Sequence, residues 1–388
     1  MLRTLTRAKY RDAILAAALL CAGAGLLFYS RQSMDAARQG LSLCANVIVP
    51  SLFPFFVLSS LVVELGMAGY LGRALERVMY PLFRVGGPGA GALVLGFIGG
   101  YPVGARTAIG LYQSGQCSKA EAERMLAFCN NSGPAFILGV VGTGVFGSSR
   151  VGLLLYLTHI AASVLVGLIF RFYGPPPRSA AQRSSAPIRT VHLSRAFTHS
   201  ITSSAQSVLS ICAFVVFFSV VIRLLFLCGA MDALAGLLTP AGLDVTHARR
   251  LITGLLELSS GVASLSPADP ITGQVSLAAF LLGWAGLSVH CQVLSFLADS
   301  DLRITPYLAG KLLHGGLSAL LMWALTRLIP LSQPVSSYLA QQVEAMAQLD
   351  FSLALSICST AAWVLWLFFL GVTLWAVSRC KKRGGKVG

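Results

Sequence analysis

Acidic side chains are scarce in this chain: 14 Asp and Glu stand against 29 Lys and Arg in 388 residues, and charged residues of both signs make up 11%. Soluble domains carry roughly a quarter charged residues, so a water-facing globular surface is excluded. Acids this scattered also offer no pair for hydrolytic acid-base chemistry. The nine cysteines include no C-x-x-C, and most lie in apolar runs, as Cys212 and Cys358 do, which fits small packing residues better than disulfides or metal ligands. H-E-x-x-H, G-x-x-x-x-G-K-[ST] and G-x-S-x-G are all missing. No enzyme, resident metal or cofactor is expected.

What is abundant is apolar sequence: 55% of residues are hydrophobic and the mean hydropathy is +0.75. Runs near bilayer length fall at 13–29, 43–63, 126–146, 151–170, 208–227, 275–297, 307–328 and 353–377, which predicts eight crossings of a polytopic, all-α membrane protein. Two more stretches, 90–112 and 251–272, are apolar but interrupted, and read as re-entrant helical hairpins. The net charge of +15 sits in short segments beside the spans, so it reports positive-inside topology rather than nucleic acid. Arg3, Arg7, Lys9 and Arg11 place the N-terminus in the cytoplasm, and the C-terminus returns there with Arg379, Lys381, Lys382, Arg383 and Lys386. Residues 1–39 resemble a secretory signal without a cleavage site, hence a signal anchor.

The basic linker within 173–200 divides two halves on one plan, residues 40–172 and 201–330, with an outer loop, last helix and basic tail in 331–388. "GFIGGYPVGA" from Gly96 lies opposite "GLLELSSGVAS" from Gly254, "FCNNSGPAF" opposite "AGLSVHCQV", and His159 and Ser163 opposite His314 and Ser318. Three crossings plus a non-crossing hairpin in each half invert the second relative to the first, the repeat layout of secondary transporters.

Backbone exposed by a broken helix cannot face lipid, because an unsatisfied N–H or C=O there costs several kcal/mol. The breaks must face protein or a polar cavity. In the first hairpin Gly99, Gly100 and Gly104 allow a tight turn, with Tyr101, Pro102 and Arg106 beside them. A G-x-x-x-G packing role for the glycines and a snorkelling role for Arg106 remain open beside anion binding. Asn130, Asn131 and Ser132 offer polar groups at the first broken span. In the second half Glu257 is flanked by apolar residues and followed by Ser259 and Ser260, while Ser288, His290 and Gln292 mark the next break. Glu257 has several uses open: pairing with Arg106, holding a proton or cation, or receiving a substrate donor. His159 and His314 read as interhelical hydrogen-bonders.

Taken in order, "GFIGGYPVGA", "FCNNSGPAF", "GLLELSSGV" and "GLSVHCQV" resemble the YlbJ (SpoVV) family of sporulation integral membrane proteins, within the nucleoside-recognition Gate group, over roughly residues 40–330. That family resembles the concentrative nucleoside transporters. The resemblance implies hairpin tips at residues 99–102 and 257–261, and unwound helix centres at 130–134 and 288–292 around a central site. It further implies export of dipicolinic acid from the mother cell across the outer forespore membrane. The expected partners are a small-molecule anion and the bilayer, without nucleic acid; a coupling proton or sodium ion and a homo-oligomer stay open. Two rivals are a nucleoside transporter of the same fold and a non-transporting scaffold for spore morphogenesis.

Overall fold

The computed structural model describes residues 2–65, 75, 78–175, 193–266, 271–329 and 331. Every regular element among them is helical. The first half runs α1 (Leu2–Phe28), α2 (Ser30–Leu43), a π-wound turn Cys44–Ile48, α3 (Val49–Glu64), α4 (Gly89–Gly99), α5 (Val103–Gln113), α6 (Lys119–Phe128), a π-wound segment Ala135–Val145, and α7 (Ser149–Phe170). The second runs α8 (Leu193–Leu227), α9 (Ala230–Gly236), α10 (Val245–Leu256), α11 (Leu258–Ala263), α12 (Ile271–Trp284), α13 (Gly286–Leu297) and α14 (Ile304–Leu328).

Among the described residues, four stretches are long and apolar enough to cross a bilayer: Ser149–Phe170, Leu193–Leu227, Ile271–Leu297 and Ile304–Leu328. A fifth is a bent pair, Ser30–Ile48 with Leu52–Leu58, turned by 54°. The expected runs at 13–29 and 126–146 contain the shorter apolar helices Ala16–Phe28 and Ala135–Val145. The last expected crossing at 353–377, the basic tail and most of the linker lie outside the described residues. Helix α8 begins at Leu193, well before the hydropathic run at 208. Ser and Thr lower the hydropathy of its first turns without breaking the helix, since Thr198 and Thr202 bond back to carbonyls one turn earlier.

The burial pattern suits lipid. On α7 the exposed side includes Leu153, Leu157, Leu165 and Ile169, while Thr158, His159, Ala162 and Ser163 are buried. Apolar groups face out and small or polar groups face in, as expected where helices associate through close packing and hydrogen bonds rather than a hydrophobic drive. Three buried clusters interlock the halves, one of them joining Ile48 and Phe56 to Val208 and Val215. Around Met125, Leu126 and Phe128 of α6 pack Val293, Leu297 and Tyr307 from the second half. Around Leu281, Leu282 and Val289 pack Tyr101, Phe136 and Leu155 from the first.

Helix α6 carries three buried charges, all engaged. Glu121 closes a capping box with Ser118 and accepts from Gly86 N at 2.9 Å. Glu123 accepts from Arg303 N at 2.9 Å and from the Tyr173 hydroxyl at 2.7 Å. Arg124 donates to the carbonyls of Arg84 at 2.6 Å, Tyr173 at 2.7 Å and Pro175. These bonds tie the ends of both halves together at one edge of the bundle.

At the same edge, the Lys119 ammonium reaches Asp301 at 2.8 Å and the Tyr112 hydroxyl reaches it at 2.6 Å. These two donors, Lys119 first, hold the Asp301 carboxyl below its ordinary range. A carboxyl depressed on folding contributes stability above its unfolded value, about 4, and loses that contribution as pH falls through the folded value. Amide exchange in residues 114–118 and 299–303 is therefore expected to accelerate on acidification below pH about 4, and Asp301→Asn is expected to remove that pH dependence. Equal exchange profiles in the two proteins would refute the linkage.

Candidate functional site

Helices α4 and α5 form an antiparallel hairpin, and both the expected turn at Gly99 to Pro102 and its glycines have a visible cause. Gly100 takes φ 74°, a left-handed value that suits glycine, and the Tyr101–Pro102 peptide is cis. A Cβ on Gly100 would stand 2.9 Å from Gly133 N, so the hairpin tip rests backbone against backbone on the first helix break. That break runs from Cys129 through Gly133. Pro134 has no N–H to give the carbonyl of Asn130, which a continuing helix would require.

The second half repeats the arrangement. Helices α10 and α11 meet at Glu257, and a Cβ on Gly286 would stand 2.9 Å from Leu258 N. Ala285 and Gly286 both take φ 82°, and they interrupt the long span between α12 and α13. The break expected at Ser288 to Gln292 is thus displaced: those residues form the first turns of α13, and the unwinding precedes them. The two histidines aligned between the halves also meet, with ring centroids 4.3 Å apart.

Between the two tips lies a partly open cavity of about 50 Å³. Its polar wall comprises Gly100 and Tyr101 from the first hairpin, Ser132 and Gly133 from the first break, Glu257 and Ser259 from the second hairpin, and Ser288 and Gln292 from α13. Ile48, Leu52, Phe136, Ile211, Val215, Leu258 and Val289 complete it with apolar surface. Seven expected site residues therefore share one cavity: Gly100, Tyr101, Ser132, Glu257, Ser259, Ser288 and Gln292.

The other seven stand elsewhere. Gly99 and Pro102 bracket the first turn. Asn130 Nδ2 faces Tyr307 Oη at 3.5 Å, Tyr307 Oη lies 2.9 Å from His290 Nδ1, and the His290 ring packs edge-on to Trp284. Asn131 donates to Phe128 O at 2.9 Å, and Ser260 N donates to Glu257 at 2.6 Å. Arg106 does not reach the cavity. Its guanidinium donates to Ser207 Oγ at 3.1 Å and Ser203 Oγ at 3.3 Å on α8, along an exposed face. Nor does it pair with Glu257, whose carboxylate accepts from Ser259 N at 3.0 Å as well as from Ser260 N, capping α11. The helical phase of α5 decides this, since its buried positions are Gly104, Ala105, Ala108 and Ile109.

Sequence reasoning missed Lys311, fully buried on α14 and within bonding distance of Tyr101, Asn130 and His314. Hydropathy averaging hid it inside an otherwise apolar run. An ionisable residue within a predicted span is itself a signal of function. His159 and His314 behave as expected: His159 Nε2 accepts from Ser132 N at 3.0 Å at the break, and His314 Nε2 bonds His159 O at 3.0 Å.

An outward-apolar helical body with a cavity between two hairpin tips, the first helix break and the start of α13 defines a polytopic integral membrane protein. Residues 45–175 match the Gate family, described as nucleoside recognition. The chain is 32% identical over 344 residues to the sporulation integral membrane protein YlbJ of Bacillus subtilis (strain 168), covering 81% of this chain and 83% of that one. It belongs to the YlbJ family of sporulation integral membrane proteins. Among solved structures it is similar to CNTnw in an inward-facing, substrate-bound state, at 14% identity, covering 82% of this chain and 86% of that one, with a TM-score of 0.49. An outward-facing double variant of CNTnw gives 15% identity, 84% and 86% coverage and a TM-score of 0.48.

Proposed function

We propose that the chain is a secondary transporter of a small anionic metabolite, with dipicolinic acid as its cargo, exported from the mother cell across the outer forespore membrane. The observation that carries this reading is the cavity lined by both hairpin tips, the first helix break and the first turns of α13. Such a site can open to either side when tip and break separate, which is the requirement for alternating access. Its mainly apolar wall with a few polar groups suits a flat aromatic acid. Membership in a sporulation family supports the cellular setting, and the basic segments support cytoplasmic termini.

The substrate contacts in this reading come from Tyr101, Ser132, Ser259, Ser288 and Gln292, with Glu257 holding the second tip. The test is uptake of pyridine-2,6-dicarboxylate by vesicles reconstituted with the full chain. Saturable uptake is expected, and Arg106→Gln is expected to transport within about twofold of the parent protein because its exposed hydrogen bonds to two serines lie away from the cavity and contribute little. Uptake no faster than in empty vesicles would overturn the reading. The match to a family described as nucleoside recognition favours one rival cargo: uptake of uridine, uninhibited by pyridine dicarboxylates, would replace the anion with a nucleoside.

A further inference from the structure

Lys311 has no exposed surface, and three groups surround its Nζ: Tyr101 Oη at 2.7 Å, Asn130 O at 2.9 Å and His314 Nδ1 at 3.3 Å. Each of them can only accept. Asn130 O is a carbonyl. The Tyr101 hydroxyl gives its hydrogen to Leu282 O at 2.7 Å. His314 Nε2 faces another carbonyl, His159 O, so the proton of a neutral imidazole sits on Nε2 and Nδ1 keeps a lone pair. A neutral amine has two N–H groups and would turn its own lone pair toward the third acceptor. An ammonium has three, and satisfies all of them.

This charge is unmatched. No ion pair among the described residues involves Lys311, and the carboxylate in the cavity wall, Glu257, has both oxygens on the backbone of its own hairpin. Burying an ammonium without a counter-charge is costly, and such residues persist where function uses them. Tyr101 connects this charge to the cavity: it lines the wall, its ring centroid lies 4.7 Å from Nζ, and its hydroxyl accepts from Nζ. The charge belongs to one half alone. Lys311 precedes His314 by three residues, and the residue three before His159 is Tyr156.

We propose that Lys311 makes the cavity select anions, its ammonium providing through Tyr101 the positive potential in which a small carboxylate binds. The inference rests on the transport reading above and names the group behind its charge preference. A carboxylate would seat on the side of Tyr101 and Ser132, away from Glu257. Lys311 also has a structural duty, giving the Asn130 carbonyl the donor that Pro134 lacks. That duty needs an N–H; anion selection needs the charge.

The two are separated by binding measurements on the full chain in lipid nanodiscs with three ligands of one shape: pyridine-2,6-dicarboxylate, 6-carbamoylpyridine-2-carboxylate and pyridine-2,6-dicarboxamide. In the parent protein affinity is expected to fall about tenfold for each negative charge removed, the scale of a partly screened charge interaction over several ångströms. In Lys311→Met and Lys311→Gln the series is expected to flatten to within about threefold, as a charge interaction that has been deleted should. Equal binding of diamide and dicarboxylate by the parent overturns the inference even if neither variant folds, and leaves the transport reading standing. An unchanged series in a folded variant overturns it likewise. Binding of uridine with none of the pyridines overturns the transport reading itself.

Discussion

Valine at Gly96 or Gly104 is expected to prevent accumulation of a folded chain, and alanine at either to lower stability by about 3 kcal/mol, the upper end of overpacking costs. The two glycines stand on α4 and α5 and face the same atom, the carbonyl oxygen of Cys129, which a Cβ on either would strike. The oxygen has little room to move. Cys129 N is bonded to Met125 O at 2.7 Å, and its peptide is the last before α6 unwinds. The hairpin is thus seated on the backbone where the first break begins, and any side chain there lifts it away. Gly110, on the exposed face of α5, is the internal control, since a Cβ at that position would meet nothing within 4 Å. Alanine there is expected to be neutral or stabilising by up to about 1 kcal/mol through helix propensity. Thermal unfolding followed by size-exclusion fluorescence reads all of these; a Gly96→Val protein melting within a few degrees of the parent would defeat the argument.

Removing the Glu257 side chain with alanine is expected to abolish transport, whereas glutamine is expected to retain it within about tenfold, a loss near 1.4 kcal/mol. The carboxylate meets two half-buried backbone N–H groups at the start of a six-residue helix. Alanine leaves both without an acceptor, at about 1–3 kcal/mol each. Glutamine keeps one acceptor oxygen in place. Uptake by reconstituted vesicles, beside a melting curve for each variant, separates the outcomes. A Glu257→Gln protein that is fully folded but inactive would mean that the negative charge itself is used by ligand or ion, beyond holding the hairpin tip.

The places where helices stop were readable because the residues that stop them are distinctive. Gly99, Gly100 and Pro102 marked the first tip and Asn130 to Pro134 the first break, since a missing Cβ or a missing N–H acts locally. The second break was displaced because it turns on Ala285, whose left-handed φ no rule of composition suggests. Arg106 was drawn toward the cavity by proximity in sequence, but the tip it follows is tight, and its position on α5 falls out of phase with the buried Gly104, Ala105, Ala108 and Ile109. Lys311 was lost for the complementary reason: an average over a mainly apolar run hides a charge whose partners lie 181 and 210 residues away. Local chemistry wrote the breaks, and long-range packing decided which side chains gather behind them.

Pro134 and Lys311 are separated by nearly half of the chain yet answer one requirement. The proline withholds a hydrogen from the Asn130 carbonyl, and the lysine delivers one from the other half of the molecule. Neither residue makes sense without the other: a residue with an N–H at 134 would let the helix close over that carbonyl and leave the ammonium one acceptor short. The two positions should therefore change together or not at all as the sequence diverges, so that the pair acts as a single heritable character recorded at two distant points of the chain.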